Sequence, residues 1–334
     1  MMFRLDVCVR FPLRINFVFT YNLIKEKLGE LMKFIFMMLM MPMLVWSQET
    51  KQVQDWDVTG LRAGRLINNW SFDVEENWVT RFLKNGGDKV RVTGLKHSSL
   101  DRFKIDFKNS LELKVRKNSL PVEFDWRNQA NLQPVRTQGN CGSCWSFATT
   151  AVLESLLIIN GHDSYPDLAE QTMVSTCSNH GDCRGGYFEA FDYMTNIGLV
   201  AEYEDPYLMR NSVCRDLNFV ERKYTASWMY ITNNGGSPTI DQIKQAILDY
   251  GPVSTDIVGS FPGYRSGIYN RCSNRRTDHM VNIIGWSDYG QYWIVRNSWG
   301  AEWGEQGHIR IMYKNFMGRK CNGVGTIVAA AVID

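Results

Sequence analysis

The 334-residue sequence predicts an α+β fold. Three observations carry that prediction. Helical patterns come before a strand-rich end, the strand-like runs are short and separated by glycine, and no internal repeat is present. A composition of 44% hydrophobic, 22% charged and 13% aromatic residues is that of a globular chain. It excludes a disordered tail, a collagen-like fibre and a polytopic membrane protein. The net charge of +2 is too balanced for a nucleic-acid surface, so no nucleic-acid partner is expected. The charge is uneven, however: residues 1–47 carry +3, residues 48–119 carry +4, and residues 120–334 carry −5. A basic segment thus precedes an acidic domain, and their opposite signs favour docking.

Residues 34–45 form an uncharged, Met-rich run between Lys33 and Ser47. A positive start, a short apolar core and a small residue at its end read as a secretory signal peptide cleaved near Ser47. Its 12 residues fall short of the roughly 18–20 that span a bilayer, so no permanent membrane anchor is expected. The protein is then secreted, or held in an exported compartment such as a periplasm or a lysosome-like vesicle. Signal peptides begin close to their apolar run, which residues 1–31 do not. The reading therefore places the translation start at Met32, with a long irregular leader as the alternative.

Residues 48–119 contain no cysteine and no strong periodicity. Residues 75–83 predict a short amphipathic helix stopped by Gly86-Gly87. Residues 102–115 alternate, with Phe103, Ile105 and Phe107 on one face continued by Leu111, Leu113 and Val115, which predicts an exposed or docking strand. Lys114, Arg116 and Lys117 then mark a solvated linker and a processing site.

After Leu120 the texture changes, because seven of the eight cysteines and most glycines lie here. Residues 146–159 predict a helix whose broad apolar face comprises Phe147, Val152, Leu153, Leu156, Leu157 and Ile159, stopped by Gly161. Residues 240–248 predict a second, opened by Thr239 or Asp241 and closed at Gly251-Pro252. Residues 281–286, 292–296 and 308–312 predict short strands.

Export implies an oxidising compartment in which structural cysteines pair. Seven cysteines follow the signal: Cys141, Cys144, Cys177, Cys183, Cys214, Cys272 and Cys321. One is left over, either for an intermolecular bridge or as a reactive thiol. Counting does not select it, but the local sequence does. The run Gln138-Gly139-Asn140-Cys141-Gly142-Ser143-Cys144-Trp145-Ser146-Phe147 places Cys144 at a helix start, just after a glycine turn. The positive end of the helix dipole lowers a thiol pKa there. Backbone N–H groups at the same place, with the Gln138 amide, suit a developing oxyanion.

This run resembles the catalytic-cysteine motif of papain-like cysteine proteases, whose partners lie roughly 130–150 residues downstream. Here Asp278-His279-Met280 places His279 135 residues after Cys144, and Arg296-Asn297-Ser298-Trp299-Gly300 places Asn297 153 residues after it. Leu120-Pro121-Val122-Glu123-Phe124-Asp125-Trp126-Arg127 is similar to the mature start of that family. Glu170-Gln171, Gly185-Gly186-Tyr187, Tyr250-Gly251-Pro252-Val253-Ser254 and Trp299-Gly300-Ala301-Glu302-Trp303-Gly304 match in order, so the resemblance covers 120–334.

The resemblance implies a two-lobed fold, with a helical lobe to about residue 226, a barrel-like β lobe to residue 334, and the cleft between them. It implies Cys144 as nucleophile, His279 as base, Asn297 orienting the imidazole, Trp299 shielding that bond, and Gln138 with the Cys144 N–H at the oxyanion. Gly185 and Gly186 would pair with substrate backbone. Tyr187, Phe188, Asp256 and Met280 would surround the pocket for the residue second before the cleaved bond. Phe188 and Met280 favour an apolar side chain there. Asp256 either admits Arg or Lys or is a solvated strand carboxylate. The implied disulfides are Cys141–Cys183, Cys177–Cys214 and Cys272–Cys321, leaving Cys144 free. No His-rich inserted loop of the dipeptide-releasing kind is present, so an endopeptidase is expected. The other histidines after the signal, His162, His180 and His308, read as surface or structural.

The whole implies a secreted, monomeric cysteine endopeptidase made as a zymogen, with residues 48–119 as its own inhibitory propeptide. It would act on protein or peptide substrates and need no cofactor or metal. The helical propeptide signature of the family is not recognisable in 48–119, so a retained accessory domain stays open for that segment. For the whole chain, a catalytically silent homologue acting as a secreted binding protein is the competing class. A transglutaminase-like acyl transferase shares the Cys–His pair but not the surrounding blocks.

Overall fold

One helix, buried around its whole circumference, organises this protein. The computed structural model describes residues 54–96, 110–116, 120–176 and 178–334. In chain order the elements begin with α1 (Val58–Asn68), β1 (Phe72–Val74), α2 (Trp78–Lys84), β2 (Ser110–Glu112) and β3 (Glu123–Asp125). Then come α3 (Cys144–Ile159), α4 (Gln171–Val174), β4 (Gly181–Asp182), β5 (Gly185–Gly186) and α5 (Ala190–Asn196). The last stretch holds β6 (Ser227–Thr232), α6 (Ile240–Tyr250), β7 (Val253–Ile257), β8 (Tyr264–Tyr269), β9 (His279–Ser287), β10 (Tyr292–Arg296), β11 (His308–Met312) and β12 (Val328–Val332).

The architecture is α+β and two-lobed. Helices α3 to α5 and the β4–β5 pair form one lobe, and strands β6 to β12 build most of the other. The large sheet has the order β1-β8-β11-β10-β9-β7-β12-β6-β2, with β3 added to β9. Its pairs are antiparallel except β11 with β8 and β2 with β6. Helix α3 is buried from Cys144 to Leu157 and packs on β9, β7 and β12 as well as on α4 and α5. Trp145, Val152, Leu153, Phe191, Met194 and Met280 share one apolar cluster around it. It begins two residues before the predicted start, at Cys144.

The other helix ends follow local chemistry. Thr239, not Asp241, caps α6: its Oγ1 accepts from Gln242 N at 3.1 Å while Gln242 Oε1 accepts from Thr239 N at 2.9 Å. Gly251, at φ +78°, ends it. Asn77 caps α2 and receives both the Val79 and Thr80 N–H groups, so that helix begins three residues later than predicted. Helix α1 was not predicted. Asp57 starts it by accepting from Gly60 N at 3.0 Å, but Leu61 is its only described large apolar side chain that is buried, too little for periodicity to register.

Strands β10 and β11 have the predicted bounds, whereas β9 is longer because β7 and β10 pair along its two edges. Of the predicted strand at 102–115, residues 110–112 pair with β6, and 102–109 lie outside the described residues. Leu113 is buried and its carbonyl accepts from Gln242 Nε2 at 3.1 Å. Arg116 pairs with Asp249, so the predicted solvated linker is tied down at that point.

Cys141–Cys183 and Cys272–Cys321 are disulfides. Cys214 is also disulfide-bonded, while Cys177 lies outside the described residues. Among the described residues Cys144 is the free cysteine. No described helix is long and apolar enough to cross a membrane, and the run at 34–45 lies outside the described residues.

Because α3 is the element both lobes pack on, truncating its centre should be expensive. Leu153→Ala is expected to cost about 2–5 kcal/mol of stability, read by urea unfolding of the full chain carrying Cys144→Ala. Ile159→Ala, at the less buried end of the same helix, should cost clearly less.

Candidate active site

The site is assembled where the first turn of α3 meets the start of β9. The Cys141–Cys183 disulfide and the Gly142 N–H to Cys183 carbonyl bond, 2.9 Å, pin the turn before α3. Ser143 makes no side-chain cap of the helix; its hydroxyl lies 2.6 Å from the Tyr207 hydroxyl. The Cys144 sulfur accepts the Met280 N–H at 3.3 Å. This contact sets the thiol beside His279, the residue before Met280.

His279 opens β9 and Asn297 follows β10, so two neighbouring strands bring them together. His279 Nε2 donates to Asn297 Oδ1 at 2.7 Å, and the same oxygen accepts from Ser298 N at 2.8 Å. The Trp299 ring stacks on the imidazole with centroids 5.2 Å apart and planes 24° apart. His279 Nδ1 is buried without a hydrogen-bond partner among the described residues. With Nε2 occupied, Nδ1 is the nitrogen open to proton exchange.

Both groups are fully buried, and burial decides their protonation. Burial pushes the His279 pKa down to about 4, opposed by its bond to Asn297 and by the Asp278 charge. It pushes the Cys144 thiol far up, opposed by the Met280 and Trp145 N–H groups. The helix dipole argument predicted the opposite direction for Cys144. Desolvation wins here because a segment of the same chain covers the pair. In this state the site holds a neutral thiol and a neutral imidazole.

The covering segment is 89–96. Gly186 N donates to Gly94 O at 2.9 Å and Lys96 N donates to Gly186 O at 2.7 Å, so Leu95 runs parallel to β5. The N–H groups of Gly94 and Leu95 donate to the Asp278 carbonyl at 3.1 and 2.9 Å. Gln138 Nε2 donates to Thr93 O at 3.0 Å and to Cys141 O at 2.9 Å, and Gln138 Oε1 accepts from Ser298 Oγ at 2.6 Å. Trp299 Nε1 donates to Val92 O at 2.6 Å. Lys89 Nζ lies 2.5 Å from the Asp278 carboxylate. A Cβ on Gly94 would sit 2.1 Å from the Gly142 carbonyl oxygen, so the segment crosses the turn before Cys144 only with glycine there.

The residues assigned to specificity fall into two groups. Leu95 packs in one buried cluster with Phe188 and Met280, and Tyr187 lies at its edge with Lys96 Nζ 6.0 Å from its ring. Gly186 is held to glycine by the Trp145 ring, 2.4 Å from a hypothetical Cβ. Asp256 stands opposite Met280 in the β7–β9 ladder, but its carboxylate is engaged elsewhere. It accepts from Ile327 N at 2.8 Å and from Thr277, with the Lys320 charge nearby. It is buried rather than solvated, and burial raises its pKa to about 6.

Sequence reasoning missed Asp278, Ser298 and the whole of 89–96. The first two lie inside quoted motifs as neighbours of His279 and Asn297. Residues 89–96 have neither periodicity nor a motif that could have marked them.

Comparisons place these features among known proteins. Residues 120–331 match the model of the papain family cysteine proteases. A cathepsin L-like proteinase of Fasciola hepatica is 34% identical, covering 86% of this chain and 86% of that protein. Procathepsin L of Mus musculus is 33% identical over 80% of this chain and 79% of that one. The structure of digestive procathepsin L2 proteinase from Tenebrio molitor larval midgut superposes with a TM-score of 0.69 at 26% identity, covering 83% of this chain and 89% of that one.

The buried imidazole makes coverage of the site pH-dependent. Its pKa of about 4 lies below the ordinary 6.5, so the covered state binds fewer protons than an open one. Through the imidazole, coverage is therefore favoured fully above about pH 6.5 and weakens as pH falls toward about 4, while the buried thiol, with its raised pKa, weakens coverage only above about 8.5. Iodoacetamide labelling of Cys144 in the full-length chain, normalised to a model thiol, should rise across that window. His308, on β11 with a pKa lowered to about 3, pulls overall stability the same way. Circular dichroism must therefore stay native while labelling rises, and labelling that stays flat contradicts the expectation.

Proposed function

Because the chain belongs to the papain family of cysteine proteases, we propose that residues 120–334 hydrolyse internal peptide bonds of exported protein or peptide substrates through Cys144, His279 and Asn297. On this reading the protein is a zymogen in which residues 48–119 act as an inhibitory propeptide. The observation that carries it is the junction of α3 with β9. The Cys144 sulfur bonds the Met280 N–H, and the preceding residue, His279, is held by Asn297.

The chemistry follows once the cleft is open to water and substrate. Exposure removes the desolvation that keeps the pair neutral, and the thiol proton passes to His279 Nδ1. The thiolate attacks the peptide carbonyl carbon, forming a C–S bond. The oxyanion is held by Gln138 Nε2 and the Cys144 N–H, where Gln138 Nε2 now donates to Thr93 O. The imidazolium gives its proton to the leaving amine as the C–N bond breaks. It then takes a proton from water attacking the thioester, and collapse breaks the C–S bond, releases the acid and restores the thiolate beside the imidazolium. Asn297 Oδ1 keeps the Nε2 proton in place throughout, and Trp299 keeps water from that bond.

Specificity and processing complete the reading. The burial of Leu95 with Phe188 and Met280 favours an apolar side chain in that pocket. The engaged carboxylate of Asp256 weighs against a basic one. Residues 32–47 serve as an export signal, with translation starting at Met32, and the protein works as a monomer. The disulfides, which need an oxidising compartment, favour export.

Two measurements test this. The processed chain should hydrolyse a fluorogenic dipeptidyl substrate and be silenced by a thiol-reactive epoxide. Cys144→Ala and His279→Ala should each lose about 10³-fold or more in kcat/KM, and activity surviving Cys144→Ala removes the proposal. Residues 48–119 added in trans should inhibit the processed enzyme. Lys89→Glu, which sets two acids together in a one-third-exposed pair, should weaken that inhibition roughly three- to tenfold.

A further inference from the structure

The upstream segment makes a second charged contact, away from the cleft. Asp55 is 15% exposed and its two carboxylate oxygens go to different arginines. Oδ1 accepts from Arg271 Nη1 at 2.8 Å and Oδ2 accepts from Arg275 Nη2. The Arg271 guanidinium also lies over the Trp70 ring, 5.3 Å from its centroid. Both the carboxylate and the aromatic cover therefore come from the segment read as propeptide.

On the receiving side Asn270, before Arg271, bonds Ser71 of the upstream segment, and the loop that follows is held by residues of the later domain. Cys272, between the two arginines in sequence, is bonded to Cys321. Ser273 N donates to Asn322 Oδ1 at 2.7 Å, and Asn322 is fixed in turn by the Val258 carbonyl and the Ser260 hydroxyl. Arg275 lines a cavity of about 470 Å³ together with Arg319, Lys320, Thr277 and Asp256. Of the nearby acids, Asp256 accepts from Ile327 N, and Asp278 accepts from Gly259 N through Oδ1 and pairs through Oδ2 with Lys89 of the upstream segment. A cationic corner thus stands on a domain of net charge −5. Local cations fixed on a rigid loop select acidic ligands even when the net charge opposes them.

We propose that Arg271 and Arg275 form an exosite for acidic segments of protein substrates, binding a carboxylate after processing in the way that they bind Asp55 before it. The inference rests on the reading of 48–119 as a removable propeptide. It adds to it a substrate feature recognised outside the cleft. The template in the precursor is a peptide carboxylate with a nearby indole, which favours an acidic polypeptide over a sulfated polysaccharide. Paired guanidiniums meeting one carboxylate gain from two charge-assisted bonds at once.

The experiment uses the full-length chain with Cys144→Ala, freed of residues 48–119 by limited digestion and checked by intact mass. The probe is fluorescein-labelled hexa-aspartate, followed by anisotropy. The digested protein should bind it, and added salt should weaken binding. Arg275→Gln should weaken it about tenfold, and Arg271→Gln/Arg275→Gln should abolish it. Arg275 is 51% exposed, so its single substitution leaves a folded protein to measure, with circular dichroism as the check. The undigested chain, with Asp55 in place, should bind at least tenfold more weakly than the digested one. Equal binding by digested and undigested chains, undiminished binding by the variants, or binding of heparin but not of hexa-aspartate each overturns the proposal. A mass showing that 54–96 cannot be removed overturns it through its premise. Hydrolysis of an untailed dipeptidyl substrate by the digested Cys144-containing chain reports the catalytic reading separately.

Discussion

The bond from the Met280 N–H to the Cys144 sulfur, 3.3 Å long, joins the first turn of a buried helix to the start of a strand. Most of the structure serves to hold its two ends. Helix α3 is buried on all sides, covered by the sheet and by α4 and α5, with its Ser146 and Glu154 bonded to Glu170 and Arg136 rather than to water. That burial leaves its N-terminus at the seam between the lobes. Strand β9, paired on both edges, brings His279 to the same seam, and β10 delivers Asn297 beside it. Shifting β9 or β10 by one residue would turn one of these side chains to the opposite face.

The same burial that orders the site also silences it. A thiol and an imidazole taken out of water both favour their neutral forms, for opposite reasons of sign. The thiol pKa rises and the imidazole pKa falls, and the ion pair that makes a cysteine nucleophilic is lost. The helix dipole works against this at Cys144, yet desolvation outweighs it while 89–96 lies across the cleft. Coverage and the protonation of Cys144 and His279 are therefore coupled through solvent access.

The segment 54–96 is held by contacts of different kind and different vulnerability. Near the cleft, backbone bonds to Gly186 and Asp278 are indifferent to side-chain identity except at Gly94. Farther off, β1 pairs with β8 and Trp78 Nε1 donates to the Trp299 carbonyl at 2.9 Å. Charge pairs at Lys89–Asp278 and at Asp55 with Arg271 and Arg275 complete the set. The net +4 of 48–119 against the −5 of 120–334 agrees with docking. The Asp55 contact nevertheless runs with the opposite polarity, an acid of the basic segment on a basic corner of the acidic domain.

How much could be read before the fold was known differs by residue. Cys144, His279, Asn297 and Gln138 carry distinctive neighbours in the chain, and two strands, β10 and β11, keep their predicted bounds because their alternation is local. Helix α1 could not be read so, since Leu61 is its one described large apolar side chain that is buried and leaves no periodic pattern. The direction of the Cys144 pKa was misjudged because a local dipole is visible in sequence and desolvation by residues about fifty positions away is not. Asp256 shows the same limit, because its partner Ile327 is 71 residues distant and joins it through strand pairing. By itself, then, the sequence determined the family through its motif residues, the α+β class and the seven cysteines that follow residue 47. Only the tertiary structure decided that Gly94 and Leu95 lie over the site, that Asp256 is turned to Ile327, and that Asp55 grips two arginines. These depend on contacts between distant segments, and burial and electrostatics act through space rather than along the chain.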